Sequence, residues 1–146
     1  MIDIDRTKIE ALIPHAGNMC LLDRVTHWDA GSIHCVATSH RDCRNPLSVD
    51  GVLGAICGVE YAAQAMAVHG GLTGAAGPRP RGGYLASLRA LVLHRERLDD
   101  LDGELVIEAE RLAGEGAHVT YRFVVSCAGK IALGGRAAVL LDSGEA

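Results

Sequence analysis

Three polar side chains in one apolar stretch are the first residues whose types and spacing suit chemistry. Cys57, Glu60 and Gln64 stand at i, i+3 and i+7 between Gly51 and His69, a run otherwise dominated by Val52, Leu53, Ala55, Ile56, Val59, Ala62, Ala63, Met66, Ala67 and Val68. At helical spacing the three share one stripe. A carboxylate in a buried helix loses solvation unless it is paired. Its pKa then rises, and it holds a proton near neutrality as a general acid must. The structural alternative is that Glu60 pairs with an arginine or accepts backbone hydrogen bonds at a subunit interface.

His40 falls in the irregular segment leading to that helix, and its imidazole titrates near neutrality, so it is the candidate general base. A solvated loop histidine is the alternative. His15, between Pro14 and Gly17, is expected to bond backbone in a tight turn. His69 is expected near the helix C-terminus, where the helix dipole favours an imidazolium. The backbone amides of Gly51, Val52 and Leu53, at the expected helix start, are candidates to polarise a carbonyl oxygen.

Other chemistries find little support. His34, Cys35, His40 and Cys43 are close in sequence, but adjacent strand residues face opposite sides, and the spacing is not that of a zinc knuckle, so no metal is expected. There is no GxSxG elbow, no GxxxxGK[ST] loop and no GxGxxG fingerprint, which sets aside hydride and phosphoryl transfer.

Those residues need a scaffold, and composition bounds it. The chain has 146 residues, 49% hydrophobic and 22% charged, which predicts one globular domain spanning 1–146. With 3% aromatic residues, the core must be filled by Ala, Val, Leu and Ile. Stacking platforms for nucleic-acid bases are scarce. The net charge of −4 gives no basic footprint for nucleic acid or an anionic membrane. No segment reads as a membrane span, and the charged opening MIDIDRTKIEAL does not read as a signal peptide, so a cytoplasmic location is expected. Five cysteines without CxxC pairing fit reduced thiols better than a disulfide frame.

The pattern along the chain predicts a short helix over 5–13, strands over 19–28 and 32–38, and a long buried helix from Gly51 to about His69. After a connector rich in Gly and Pro come four strands, over 84–97, 104–112, 118–127 and 131–141. Val119, Tyr121, Phe123 and Val125 alternate with Thr120, Arg122 and Val124, the period of a half-exposed antiparallel sheet. The packing that hides such a helix is α+β, a curved antiparallel sheet wrapped around it.

The motifs themselves are familiar. Ile13-Pro14-His15, Leu21 and Asp23-Arg24-Val25 resemble the opening of the bacterial 3-hydroxyacyl-acyl carrier protein dehydratases. Gly51-Val52-Leu53 and Glu60-Tyr61-Ala62-Ala63-Gln64-Ala65 resemble that family's central helix. The phrase GVEYAAQAMAVHG is similar to a divergent branch found beside aryl polyene biosynthesis clusters. The resemblance implies a hotdog fold and a homodimer or higher assembly with sites at the subunit boundary. It also implies dehydration of a 3-hydroxyacyl thioester to the trans-2-enoyl thioester. Glu60 is then the acid and His40 the base, with Gly51, Val52, Leu53, Gln64 and His15 around the substrate. No cofactor is implied beyond the phosphopantetheine arm that arrives with acyl carrier protein or coenzyme A, and Arg79, Arg81 and Arg89 are candidates for a positive rim facing it. The family's His-Phe-Pro-Gly segment is absent, and its spacing back from Glu60 lands on Pro46. Two rivals keep the fold: a thioesterase in which Glu60 activates water, and a catalytically silent subunit of a hotdog heterodimer.

Overall fold

The computed structural model describes residues 3–13, 17–74, 83–115 and 118–141. The expectations for His15, Arg79 and Arg81 lie outside the described residues.

Helix α1 (Arg6–Leu12) starts where the Asp5 carboxylate accepts a hydrogen bond from the Lys8 amide, satisfying an otherwise orphaned donor, and it buries Ile9. Strands β1 (Arg24–Trp28) and β2 (Ser32–Ala37) follow as an antiparallel hairpin. The long helix is α2 (Gly58–Thr73), ended by Gly74 with φ 81° in the left-handed region that glycine adopts without strain. Strands β3 (Gly83–Leu93), β4 (Leu105–Glu115), β5 (His118–Cys127) and β6 (Lys130–Leu141) complete one six-stranded sheet in the order β1-β2-β4-β5-β6-β3. Every neighbouring pair is antiparallel.

The predicted alternation of β5 is observed. Val119, Tyr121, Phe123, Val125 and Cys127 are buried, and the residues between them are half-buried or exposed. One sheet face therefore meets the core and the other meets solvent. Helix α2 packs on the inner face, and from Gly58 to Gly70 only Ala63, half-buried, and Glu60, exposed, escape burial. The approach is close: a Cβ built on Gly58 would fall 2.5 Å from Leu133 Cδ2 on β6. This is the expected hotdog arrangement.

Several expected boundaries shift: β3 ends at Leu93, short of 97, and β4 runs past 112 to Glu115. Regular pairing in β1 begins at Arg24, after a 3-10 turn over Gly17–Met19. More importantly, α2 does not begin at Gly51. Asp50 (φ 53°) and Gly51 (φ 78°) form a turn bridging Val49 to Val52. The chain then runs extended, with Leu98 N donating to Leu53 O at 2.8 Å and Ala55 N to Glu96 O at 3.0 Å. A 3-10 turn over Ala55–Cys57 leads into the helix. Val52 and Leu53 continue the apolar run in sequence, but the Val52 backbone closes on Val49 and that of Leu53 pairs with Leu98, after β3.

Candidate functional site

Glu60 is the only exposed residue of α2. It has no ion pair or hydrogen bond to another described residue. The expectation of a carboxylate buried within its own chain is therefore corrected: the helix buries nearly all its other side chains and turns this one outward. Cys57, one turn earlier, is half-buried, its thiol pushed up by burial first and by the Glu60 charge second. Ile56, four residues before Glu60, is 51% exposed, and Val52 and Val49 reach 39% and 71%. An open depression of about 480 Å³ lies beside Ile56, walled by Gly54, Ala55, Leu93 and His94. The helix thus presents an exposed carboxylate four residues after an exposed aliphatic side chain that lines an open depression.

His40 is placed differently from that outward face. It sits in a 3-10 turn over Ser39–Arg41 and is 1% exposed. Its Nε2 lies 3.1 Å from the Leu101 carbonyl oxygen, beside Arg41, which pairs with Asp102. Donation to that carbonyl leaves Nδ1 as the basic nitrogen, and Nδ1 is buried without a partner. Burial lowers the His40 pKa, against smaller upward pulls from the carbonyls of Leu101 and Gly103. The ring is oriented as a base is oriented, but its lone pair is sealed under the turn before β4.

Gln64 is absorbed by structure. Its Oε1 accepts from Leu21 N at 2.9 Å and its Nε2 donates to Met19 O at 2.7 Å, so the amide clamps the chain entering β1 onto α2. Of the three amides expected to polarise a carbonyl, two are engaged: Val52 N donates to Val49 O and Leu53 N to the Asp99 carboxylate. The Arg97 guanidinium holds Asp99 at about 2, so that acceptor stays charged. Gly51 belongs to the turn and not to a helix start. His69 is also corrected. Burial lowers its pKa, and its two ring nitrogens meet Tyr121 OH and Asp29 O, each at 2.7 Å. The helix runs on to Thr73, so His69 lies before its last turn, and desolvation disfavours the charged ring there.

The signal missed in sequence is Tyr61. Its hydroxyl meets Ser39 Oγ at 2.7 Å and accepts from Asn45 Nδ2 at 3.0 Å, while Asn45 also donates to Ser39 O. A tyrosine inside an apolar helix with an Asn-Pro pair upstream was the available hint, because a buried phenol must find partners. His34 and Cys35 do face apart: His34 approaches Glu108 on the outer face at 3.5 Å, and Cys35 is buried, its thiol pushed up to about 12. Among the described residues no three His, Cys, Asp or Glu side chains are grouped to hold a metal ion, and no helix is long and apolar enough to cross a membrane.

Comparison with known proteins places this geometry. The family model of the ApeP-like dehydratases matches residues 7–143, nearly the whole chain. The chain belongs to the ApeP-like family. Among solved structures, the dehydratase heterocomplex ApeI:P from Xenorhabdus doucetiae is similar at TM-score 0.82 and 24% identity, over 93% of this chain and 91% of that one. A mutant of thioesterase PA1618 from Pseudomonas aeruginosa is similar at TM-score 0.59 and 15% identity, over 82% and 80%. Thioesterase HI1161 from Haemophilus influenzae is similar at 0.59 and 12%, over 83% and 79%. No curated protein sequence matches. At these identities the structural likeness shows the hotdog fold. Family membership places this chain among the ApeP-like dehydratase proteins.

Proposed function

We propose that this chain contributes Glu60 to the dehydration of a 3-hydroxyacyl thioester carried by acyl carrier protein, in an assembly with a second hotdog chain. The observation that carries the reading is the outward carboxylate on an otherwise buried helix, four residues after the exposed Ile56. The heterocomplex form of ApeI:P supports a distinct hotdog partner over the homodimer implied by the resemblance. Covering Glu60 with a partner's apolar surface removes the water around it, the setting in which a carboxyl serves as an acid. Glu60 then gives its proton to the C3 hydroxyl, which leaves as water, while a base on the covering chain takes the C2 proton. The products are the trans-2-enoyl thioester and one water. Two proton transfers need no redox cofactor or metal. In this reading His40, with Nδ1 buried and Nε2 on the Leu101 carbonyl, holds that turn and does not remove the proton.

The test is to incubate the chain, alone and with its hotdog partner, with a 3-hydroxyacyl-carrier protein or its N-acetylcysteamine mimic, following enoyl product and free thiol. The expected result is enoyl formation only in the assembly, abolished in Glu60→Gln and retained in a folded His40→Ala. Loss in both variants restores His40 as the base. Thiol release without enoyl product supports the second reading, a thioesterase in which Glu60 activates water, which the likeness to two thioesterases favours. Coenzyme A thioesters processed as fast as carrier-bound ones would overturn the carrier assignment.

A further inference from the structure

The outer face of the sheet, on the far side from α2, carries an unusual row. Arg89 on β3 pairs in register with Arg136 on β6, and Arg136 with Arg122 on β5, so three guanidinium groups leave the same face on adjacent strands. Like charges at directly opposed positions, about 5 Å apart at Cβ, oppose sheet formation. Only Arg122 is relieved, by Glu110 at 3.2 Å; Arg89 and Arg136 have no carboxylate partner among the described residues. The next row on that face reads Ser87, Ala138, Thr120, again in register. The small Ala138 between two hydroxyl residues leaves a depression of about 520 Å³, which Ser87, Arg89, His118, Thr120 and Arg136 line. The row on the other side reads Val92, Gly134, Val124, and the missing side chain at Gly134 opens a second, mainly apolar groove of about 290 Å³ with Ile131. Arg136 stands between the two and lines both.

We propose that this face binds a phosphate ester, with the phosphate on Arg89, Arg136 and the Ser87 and Thr120 hydroxyls and the ester's arm along the Gly134 groove. Planar guanidinium forks match phosphate oxygens two at a time, and hydroxyls supply the remaining donors. A bound dianion removes the repulsion that the empty row carries. Aliphatic Val92 and Ile131, each 52% exposed, give the arm an apolar bed that inorganic phosphate does not use. The phosphate contacts use none of the residues proposed for the reaction, although His94 lines both the Gly134 groove and the depression beside Ile56.

Calorimetric titration of the full chain at low salt with inorganic phosphate, pantetheine 4′-phosphate and unphosphorylated pantetheine tests it. The expected order is pantetheine 4′-phosphate at least about tenfold tighter than inorganic phosphate, with no binding of pantetheine. Arg136→Ala should weaken the ester about tenfold or more, and Arg136→Lys less, because a point charge replaces the fork. Both positions are exposed, and thermal melts of the variants and of Arg89→Ala should match or exceed the parent, confirming folding. Pantetheine binding as well as its phosphate, inorganic phosphate equalling the ester, or an affinity unmoved by both Arg136→Ala and Arg89→Ala would each overturn the site.

Discussion

The hydroxyl of Tyr61 lies 2.7 Å from Ser39 Oγ, so the residue beside Glu60 is tied to the residue beside His40. Asn45 closes the link from a third direction, donating to Tyr61 OH and to the Ser39 carbonyl. The candidate acid and the irregular segment before the helix are therefore mechanically one unit.

Removing the phenol tests that unit. Tyr61→Phe deletes one buried acceptor and leaves Asn45 Nδ2 with only the Ser39 carbonyl, an expected loss of about 1–2 kcal/mol. Chemical denaturation should show a lower midpoint with an unchanged slope. Turnover in the assembled enzyme should fall with little change in KM, because positioning of Glu60 is altered and not acyl binding.

Gln64 distinguishes a clamp from a substrate contact. Gln64→Ala strands Leu21 N and Met19 O near the helix and should cost about 1–3 kcal/mol. A rise in KM for short thioesters without any loss of stability would contradict the clamp and restore Gln64 to the substrate site.

Acidification should destabilise the fold through two imidazoles. Burial lowers the pKa of both His40 and His69 below the ordinary histidine value. Below that value the unfolded chain takes up protons that the native chain refuses, so both contributions are complete above about pH 6.5 and shrink as pH falls beneath it. Melting temperatures from about pH 8 to about 5 should decline below about 6.5. The decline should be shallower in His69→Gln, even though that variant starts from a lower melting temperature.

The contact between α2 and β6 admits an added atom only if the buried Leu133 side chain shifts. A methyl group on Gly58 meets Leu133 Cδ2 at 2.5 Å, so Gly58→Ala should destabilise by about 1–3 kcal/mol despite the better helix propensity of alanine. Pairing it with Leu133→Ala should recover part of the loss, measured by a double-mutant cycle.

Much of the fold was legible because its period is strong. The alternation from His118 to Cys127 appears residue for residue as β5, and the all-apolar run announced a buried helix. The run could not announce where the helix begins, since Val52 and Leu53 serve an extended pairing as readily as a helical turn, and the deciding partners, Glu96 to Asp99, are distant in sequence. Glu60 was legible as an exception by residue type, but its direction was not: spacing puts a side chain on a stripe without saying whether that stripe meets its own sheet or open space. The sealed ring of His40 depends on the Leu101 turn, which no local pattern connects to it.

The outward placement of Glu60 also divides authorship of its acidity. Among the described residues no ion pair or side-chain hydrogen bond engages this carboxyl, so its surroundings are set by whichever surface comes to lie over it. Exchanging one covering subunit for another would retune the same glutamate without altering a single letter of this sequence.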